Sequence, residues 1–424
     1  VSLLILHRNP FEPFPYERWL TGYDGEVVVL AARDKFASFA EPVPDGPGPY
    51  FTHLELLDDF LDGRRVRARA LELARRFGTK LVVALHEGDL LHAAWLREKL
   101  GLPGHRTADL APFRDKLLMK RLAAAAGVPV ARHAAPRTAG EALAFADEHG
   151  FPVVVKDRAG FNSIGLRILH DRDQLTGQVA GAYADGPRDD LLIEAYVPGR
   201  MCHVDGLVVG GETVLAWPSQ YQYDLASFGT DHGARVDVTL DPADPLTPRL
   251  LELTDRTLAA LRPPGSAMLD HAFHAEIFHT ADDRLVLCEV AGRTAGAKVR
   301  EVIVAMFGVN LAECVLRLEV GLPLPPLPSP PPGGGLPRPA AMSGQVLLMK
   351  RPGEVRSVPR QPAEPWVSNF WVWAEPGQVI PPAAGSADFL AAAVATAPTR
   401  AECEGRLREL GRRFEAQTTM ASPR

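Results

Sequence analysis

Residues 267–298 read AMLDHAFHAEIFHTADDRLVLCEVAGRTAGAK, and the fold turns on how this stretch pairs with itself. Two apolar runs, 267–280 and 284–290, flank Asp282 and Asp283, which predicts an antiparallel hairpin. If the hairpin turns symmetrically about those two aspartates, Glu276 lies directly opposite Glu289. Opposed side chains in such a pair have Cβ atoms about 4.5–5.5 Å apart. Two carboxylates that close repel unless positive charge lies between them, and a hard divalent cation such as Mg²⁺ meets that need. The plainer reading is two solvated glutamates, but their neighbours Ile277, Phe278, Leu287, Cys288 and Val290 are apolar. Of His271, His274 and His279, only His274 shares the strand face of Glu276.

Working outward, Arg293 and Lys298 follow Glu289 in EVAGRTAGAK. Fixed cations beside a carboxylate-held metal suit phosphoryl transfer, whose transition-state charge spreads over the phosphoryl oxygens. Upstream, Lys156 ends the apolar run FPVVVK and precedes DRAGFNSIG. A strand-end lysine beside a loop with Gly160, Ser163 and Gly165 can offer an ammonium and backbone N–H groups to a phosphate. The loop is not a Walker A motif, and a surface lysine with an ordinary turn is the plainer reading. LLIEAY (191–196) ends at a strand edge, where Glu194 and Val197 offer backbone groups to a planar base. Lys116 and Lys120, four apart, share one face of the helix that Asp115 opens.

The rest of the chain frames these segments. A length of 424 residues suggests about three domains. Runs 3–7, 26–30 and 80–85 read as strands buried on both faces, with helices over 62–77 and 89–100, which implies a parallel α/β sheet. The opening VSLLILHRNP reads as the first of these strands, being too short for a signal peptide. A single helix is expected over 112–127, and Thr138 with Glu141 forms a capping box before another. Strands are expected over 152–157, 164–170, 191–197, 202–209, 343–350 and 368–373, and helices over 247–261, 298–307, 311–320 and 400–416. The tract PLPPLPSPPPGGGLPRP marks a linker. The net charge of −6 gives no basic footprint for nucleic acid, and no apolar run spans a membrane. Four cysteines without CxxC or zinc spacing fit a reducing cytoplasm.

The order DK…K, GFPVVVK…G..SIG, LLIEAYVPG, H.E and E.AGR resembles the ATP-grasp ligases over roughly residues 105–322. The resemblance implies a mixed α/β and α+β architecture. Residues 1–104 would form a preceding α/β domain, 105–322 the two-subdomain nucleotide clamp, 323–339 the linker and 340–424 a β-rich piece. It implies that Lys116 and Lys156 hold the ATP phosphates under a mobile loop at Ser163 and Gly165. Glu194, Ala195, Tyr196 and Val197 would form the adenine hinge. Glu276 and Glu289 would hold Mg²⁺, and Arg293, with Lys298 nearby, would steady an acyl phosphate or the incoming carboxylate.

The sequence departs from the family pattern twice. The second metal strand usually reads Glu-x-Asn, but here it reads Glu289-Val290-Ala291. The usual ribose carboxylate is replaced by Met201, with His203 or Asp205 as substitutes nearby. The implied activity is ATP-dependent joining of a small carboxylic acid, such as an amino acid, to an amine. The implied partners are those small molecules, with neither nucleic acid nor membrane, and a homodimer is common in such families. Two alternatives stand beside it: a bicarbonate-activating carboxylase-type enzyme, and an ATP-binding scaffold without turnover.

Overall fold

Branched aliphatic runs without polar alternation form strands covered on both faces. The computed structural model describes residues 1–38, 41–266 and 270–421. Four strands make the N-terminal parallel sheet: β1 (Ser2–His7), β2 (Val27–Ala32), β3 (His53–Leu57) and β4 (Thr79–Ala84), in the order β3-β2-β1-β4. Strand β3 lies outside the sequence expectations because its HLELL pattern is polar and apolar by turns, and only Leu57 is buried. Helix Gly63–Arg76 begins at Asp62, whose carboxylate accepts from the N–H groups of Arg64 and Arg65. Helix Leu90–Leu100 stops at Gly101, which takes the left-handed conformation that favours glycine.

The single helix expected over 112–127 is instead two, Thr107–Arg114 and Lys116–Ala125. Asp115 between them is extended, and its carboxylate accepts from the N–H groups of Leu117 and Leu118. A short acidic side chain competes with helical hydrogen bonding in this way, so it ends one helix and caps the next. Lys116 is thereby fixed in a first helical turn.

A small antiparallel sheet follows: β5 (His133–Ala134), β6 (Val153–Asp157), β7 (Arg167–Leu169) and β8 (Leu191–Ala195), ordered β5-β8-β6-β7. Helices Ala139–His149 and Arg172–Ala182 pack on it through Phe145, Leu175 and Val179. Thr138 caps the first by accepting from the Glu141 N–H, as the capping pattern predicts.

The remaining strands are β9 (Gly199–Val209), β10 (Glu212–Tyr221), β11 (Ala234–Thr239), β12 (His271–Thr280), β13 (Leu285–Ala291), β14 (Met342–Met349), β15 (Gly353–Ser357), β16 (Val367–Val372), β17 (Val379–Ile380), β18 (Phe389–Ala397) and β19 (Thr419–Ala421). Eight of them form one sheet, ordered β13-β12-β9-β10-β11-β14-β18-β16, and β17-β15-β19 form a small one. The stretch after 340 is β-rich, and its strands β14, β18 and β16 continue the sheet of the preceding segment through the β11–β14 pair. Positions 267–269 of the strand expected over 267–280 lie outside the described residues.

The hairpin pairs Glu276 with Glu289, but by a different route from the symmetric turn. Thr280 and Arg284 close a three-residue turn, with Asp283 in the left-handed region at φ 60°. Near the turn Ile277 therefore faces Leu287, and a β-bulge at Cys288 restores the opposition of the two glutamates.

The proline tract has no helix or strand, yet it is tied down. Leu324 and Leu327 pack on the core beneath helices Val299–Phe307 and Leu311–Glu319, and Leu336 packs on the central-sheet core. Among the described residues no helix is long and apolar enough to cross a membrane.

Candidate active site

A cleft of about 460 Å³ opens between the small sheet and the face of the central sheet built by β9, β10, β12 and β13. Its volume lies in the range of small-ligand pockets, about 300–1,000 Å³. Lys116, Lys156, Ser163, Glu194, Ala195, Tyr196, Val197, Glu276 and Glu289 all line it. These positions span more than 170 residues of sequence and are brought together by β6, β8, β12, β13 and the helix that Asp115 caps.

Lysines dominate one wall. Lys156 on β6 and Lys120 on helix Lys116–Ala125 each place Nζ 3.1 Å from the Glu194 carboxylate. Burial alone would raise the Glu194 pKa, but the two ammonium groups outweigh it and hold the carboxyl at about 2. Burial lowers the Lys156 pKa, yet Glu194 leaves it raised overall. Glu194 therefore keeps Lys156 charged, and its carboxylate lies between the two lysines. The N–H groups of Ala195 and Tyr196 donate to the Arg132 and Pro152 carbonyls, so these hinge amides are also engaged.

The loop after β6 covers the cleft. Asn162 and Ser163 are left-handed at φ 54° and 55°, and Gly165 follows at φ 76°. Asn162 and Ser163 are the central pair of a tight turn closed by the Ile164 N–H donating to the Phe161 carbonyl, at a conformational cost for the two non-glycine residues. Lys116 Nζ donates to the Gly160 carbonyl at 2.7 Å and lies 3.3 Å from Glu289. The Ser386 N–H donates to the Asn162 carbonyl, joining the C-terminal stretch to the same loop. Gly165 belongs to this loop but does not itself line the cleft.

Glu276, Cys288 and Glu289 place one donor atom each within 4.8 Å of one another. Each is half-buried and faces the cleft, and the bulge at Cys288 brings its thiol to the same side as the two carboxylates. Two carboxylates at this spacing, open to the loop after β6, suit a hard divalent cation. Burial raises the Glu276 pKa, but His274 and more distant cations outweigh it and lower the carboxyl overall.

Arg293 lies outside the cleft lining. Its Nε donates to Glu87 Oε2 at 2.6 Å, and Arg114 pairs with the other Glu87 oxygen. Burial would raise the Glu87 pKa, but Arg293 and Arg114 hold it at about 2. Arg114 also donates to the Ala159 carbonyl, so one buried carboxylate from the N-terminal domain ties the Arg293 loop to the loop after β6.

Two expected site residues lie elsewhere. His203 is fully buried on β9, stacked on Tyr221 at 4.5 Å and held between Asp205 and Asp237. It shares the β9 face of Met201 and stands beside Glu276, but it lies under Tyr221 with no exposed surface and does not line the cleft. Asp205 is likewise buried between His203 and His274. Lys298 points at Trp371 and Trp373, with Nζ 3.8 and 4.9 Å from their ring centroids. Burial pushes its pKa down to about 8. Met201, at the expected ribose position, does line the cleft.

Tyr221, Tyr223 and Asp224 also line the cleft, outside the sequence expectations. They follow or end β10, whose polar and aromatic run WPSQYQYD hides its period. The alternation of Trp217, Ser219 and Tyr221 was the available signal.

Comparison with known proteins agrees with this geometry. Residues 115–211 match the family model described as carbamoyl-phosphate synthase L chain, ATP binding domain. An L-arginine-specific L-amino acid ligase from Bacillus subtilis is 24% identical over 273 residues, covering 63% of this chain and 64% of that protein. A D-alanine–D-alanine ligase from Syntrophobacter fumaroxidans is 39% identical over 127 residues, covering 29% of this chain and 40% of the relative. The chain thus spans less than two thirds of either relative's length. Among solved structures, an L-amino acid ligase from Bacillus licheniformis superposes with a TM-score of 0.74 at 18% identity, covering 100% of this chain and 99% of that one. The biotin carboxylase domain of a 2-oxoglutarate carboxylase from Hydrogenobacter thermophilus gives 0.67 at 17% identity, covering 99% and 90%.

Proposed function

We propose, from the premise that this chain belongs to the ATP-grasp superfamily, that it joins a small carboxylic acid, in particular an amino acid, to an amine at the expense of ATP. The observation that carries the reading is one cleft holding a phosphate-type loop, two buried lysines and an opposed pair of glutamates. A carboxylate is a poor electrophile, so its activation needs a leaving group, and phosphoryl transfer from ATP supplies one as an acyl phosphate. The amine then attacks the acyl carbon, and phosphate leaves.

The chain's own residues meet the needs of that reaction. Lys116 and Lys156 supply positive charge along the cleft wall, and the N–H groups around Ser163 supply further anion donors. Glu276 and Glu289 would hold Mg²⁺, which when bound would neutralise phosphoryl charge. Arg293, held by Glu87, is the fixed cation for the carboxylate or acyl phosphate. Closure of the phosphate loop excludes water from a hydrolysable intermediate.

The two amino acid ligases among the compared proteins support amino acids as the substrate class. The four free cysteines support a reducing cytoplasm. A homodimer belongs to the proposal too, with the dimer named for the Hydrogenobacter domain as its support. Light scattering during gel filtration tests it.

The test of the activity is release of ADP with Mg-ATP, pooled amino acids and hydroxylamine as acceptor. Hydroxamate formed from one pool is the expected result, and splitting that pool names the acid. ATP binding without ADP or hydroxamate from any pool would favour a scaffold that has lost turnover.

A further inference from the structure

We propose that His274 is a further protein donor at the cation site, acting through Nε2 beside Glu276. The inference rests on the nucleotide-and-metal reading of the cleft.

His274 stands two residues before Glu276 on β12, on the same face, with Nε2 3.4 Å from Glu276 Oε1. That is long for a hydrogen bond. It is near the separation of adjacent donors around a cation, about 3 Å when metal–donor distances are roughly 2.1 Å. The other ring nitrogen is anchored, with Nδ1 2.9 Å from Asp205 Oδ1. A carboxylate on Nδ1 fixes the tautomer that turns Nε2 towards a metal.

A buried chain of polar groups holds Asp205 in turn. Asp205 bonds His203 at 2.5 Å, and His203 Nε2 bonds Asp237 at 3.1 Å. Gln345 Nε2 donates to Asp237 at 2.8 Å, and Gln345 Oε1 accepts from the Lys298 N–H at 2.8 Å. The imidazole is thus oriented by a row reaching from the glutamates to the end of the Arg293 loop. Directly across the ladder from His274 stands Ala291, whose methyl group offers no donor and leaves the ring room. Coordination would replace any proton on Nε2, which leaves to solvent. An imidazole nitrogen shifts preference from Mg²⁺ towards Mn²⁺ and Co²⁺.

The competing donor is Cys288, and the experiment separates the two. Mn²⁺ is bound to the full-length protein with a non-hydrolysable ATP analogue, and pulsed EPR is recorded with ¹⁴N- and ¹⁵N-histidine protein. The expected result is a histidine nitrogen coupling that follows the isotope and disappears in His274→Ala. In that variant Mn²⁺ affinity should fall at least about tenfold, and adding Ala291→Asn should recover most of it.

Tight binding of the Mn²⁺–nucleotide with no histidine coupling in the unmutated protein overturns the proposal, whatever the variants do. So does an affinity loss confined to Cys288→Ala. Failure of the nucleotide to bind at all would overturn the functional reading together with this one.

Discussion

At the residue scale the site is organised around two buried acids that each satisfy two cations. Glu194 sits between Lys120 and Lys156, and Glu87 between Arg114 and Arg293. Removing one member of such a cluster leaves uncompensated buried charge, which costs about 3–5 kcal/mol. Glu194→Gln should therefore lower unfolding free energy by roughly that amount at neutral pH, read from denaturant titration. The sign with pH follows from a folded pKa of about 2 against an ordinary 4.5. The Glu194 contribution is complete above pH 4.5 and is lost as pH falls to about 2. The Gln variant should show a shallower acid limb than the parent, and parallel limbs would contradict the assignment. Arg293→Ala should reduce turnover by about 100-fold or more while changing ATP affinity little. Equal losses in both would remove Arg293 from its proposed role.

At the scale of elements, the hairpin decides whether Glu276 and Glu289 meet at all. Its three-residue turn alone would set Glu276 against Cys288, and one extra residue returns Glu289 to the opposing place. Side chains alternate along a strand, so a one-residue slip turns each to the other face. Deleting Cys288 closes the bulge and leaves Glu276 opposite Glu289, so divalent-metal binding, measured by titration calorimetry, should survive while circular dichroism keeps its parent shape. Loss of metal affinity would show that the bulged residue itself shapes the site. In the loop above, Gly165 is left-handed, a conformation a side chain resists. Gly165→Ala should weaken nucleotide binding with little change in global stability, since the loop carries little of the core.

At the scale of the molecule, strand order joins parts that the sequence presents as separate. Strands β14, β18 and β16 continue the sheet that carries the glutamates, and helix Arg400–Gln417 packs Leu407, Leu410 and Phe414 against β11 and β14. At that junction a Cβ on Gly344 would lie 2.4 Å from the Asp237 carbonyl. A chain ending at residue 339 would expose the β11 edge and the apolar face beneath the helix. It should be insoluble or lack cooperative unfolding by calorimetry, and a soluble, cooperative 1–339 fragment would show the C-terminal stretch to be an independent unit.

What the sequence alone determined is everything carried by local pattern. Valine-rich runs marked the parallel strands, Asp115 and Thr138 marked helix starts, and five short motifs in order pointed to residues that line one cleft. The strand and helix signals lie within a few residues, so backbone sterics and side-chain period suffice to read them, whereas the motifs are read through their order and a family resemblance. Only the tertiary structure decided the rest, because it depends on which strands become neighbours. The bulge that aligns Glu276 with Glu289, the burial of His203 under Tyr221, the turn of Lys298 towards two tryptophans and the pairing of β11 with β14 all join residues distant in the chain. No local period records such contacts. They arise when burying apolar faces forces the polar groups between them to find partners.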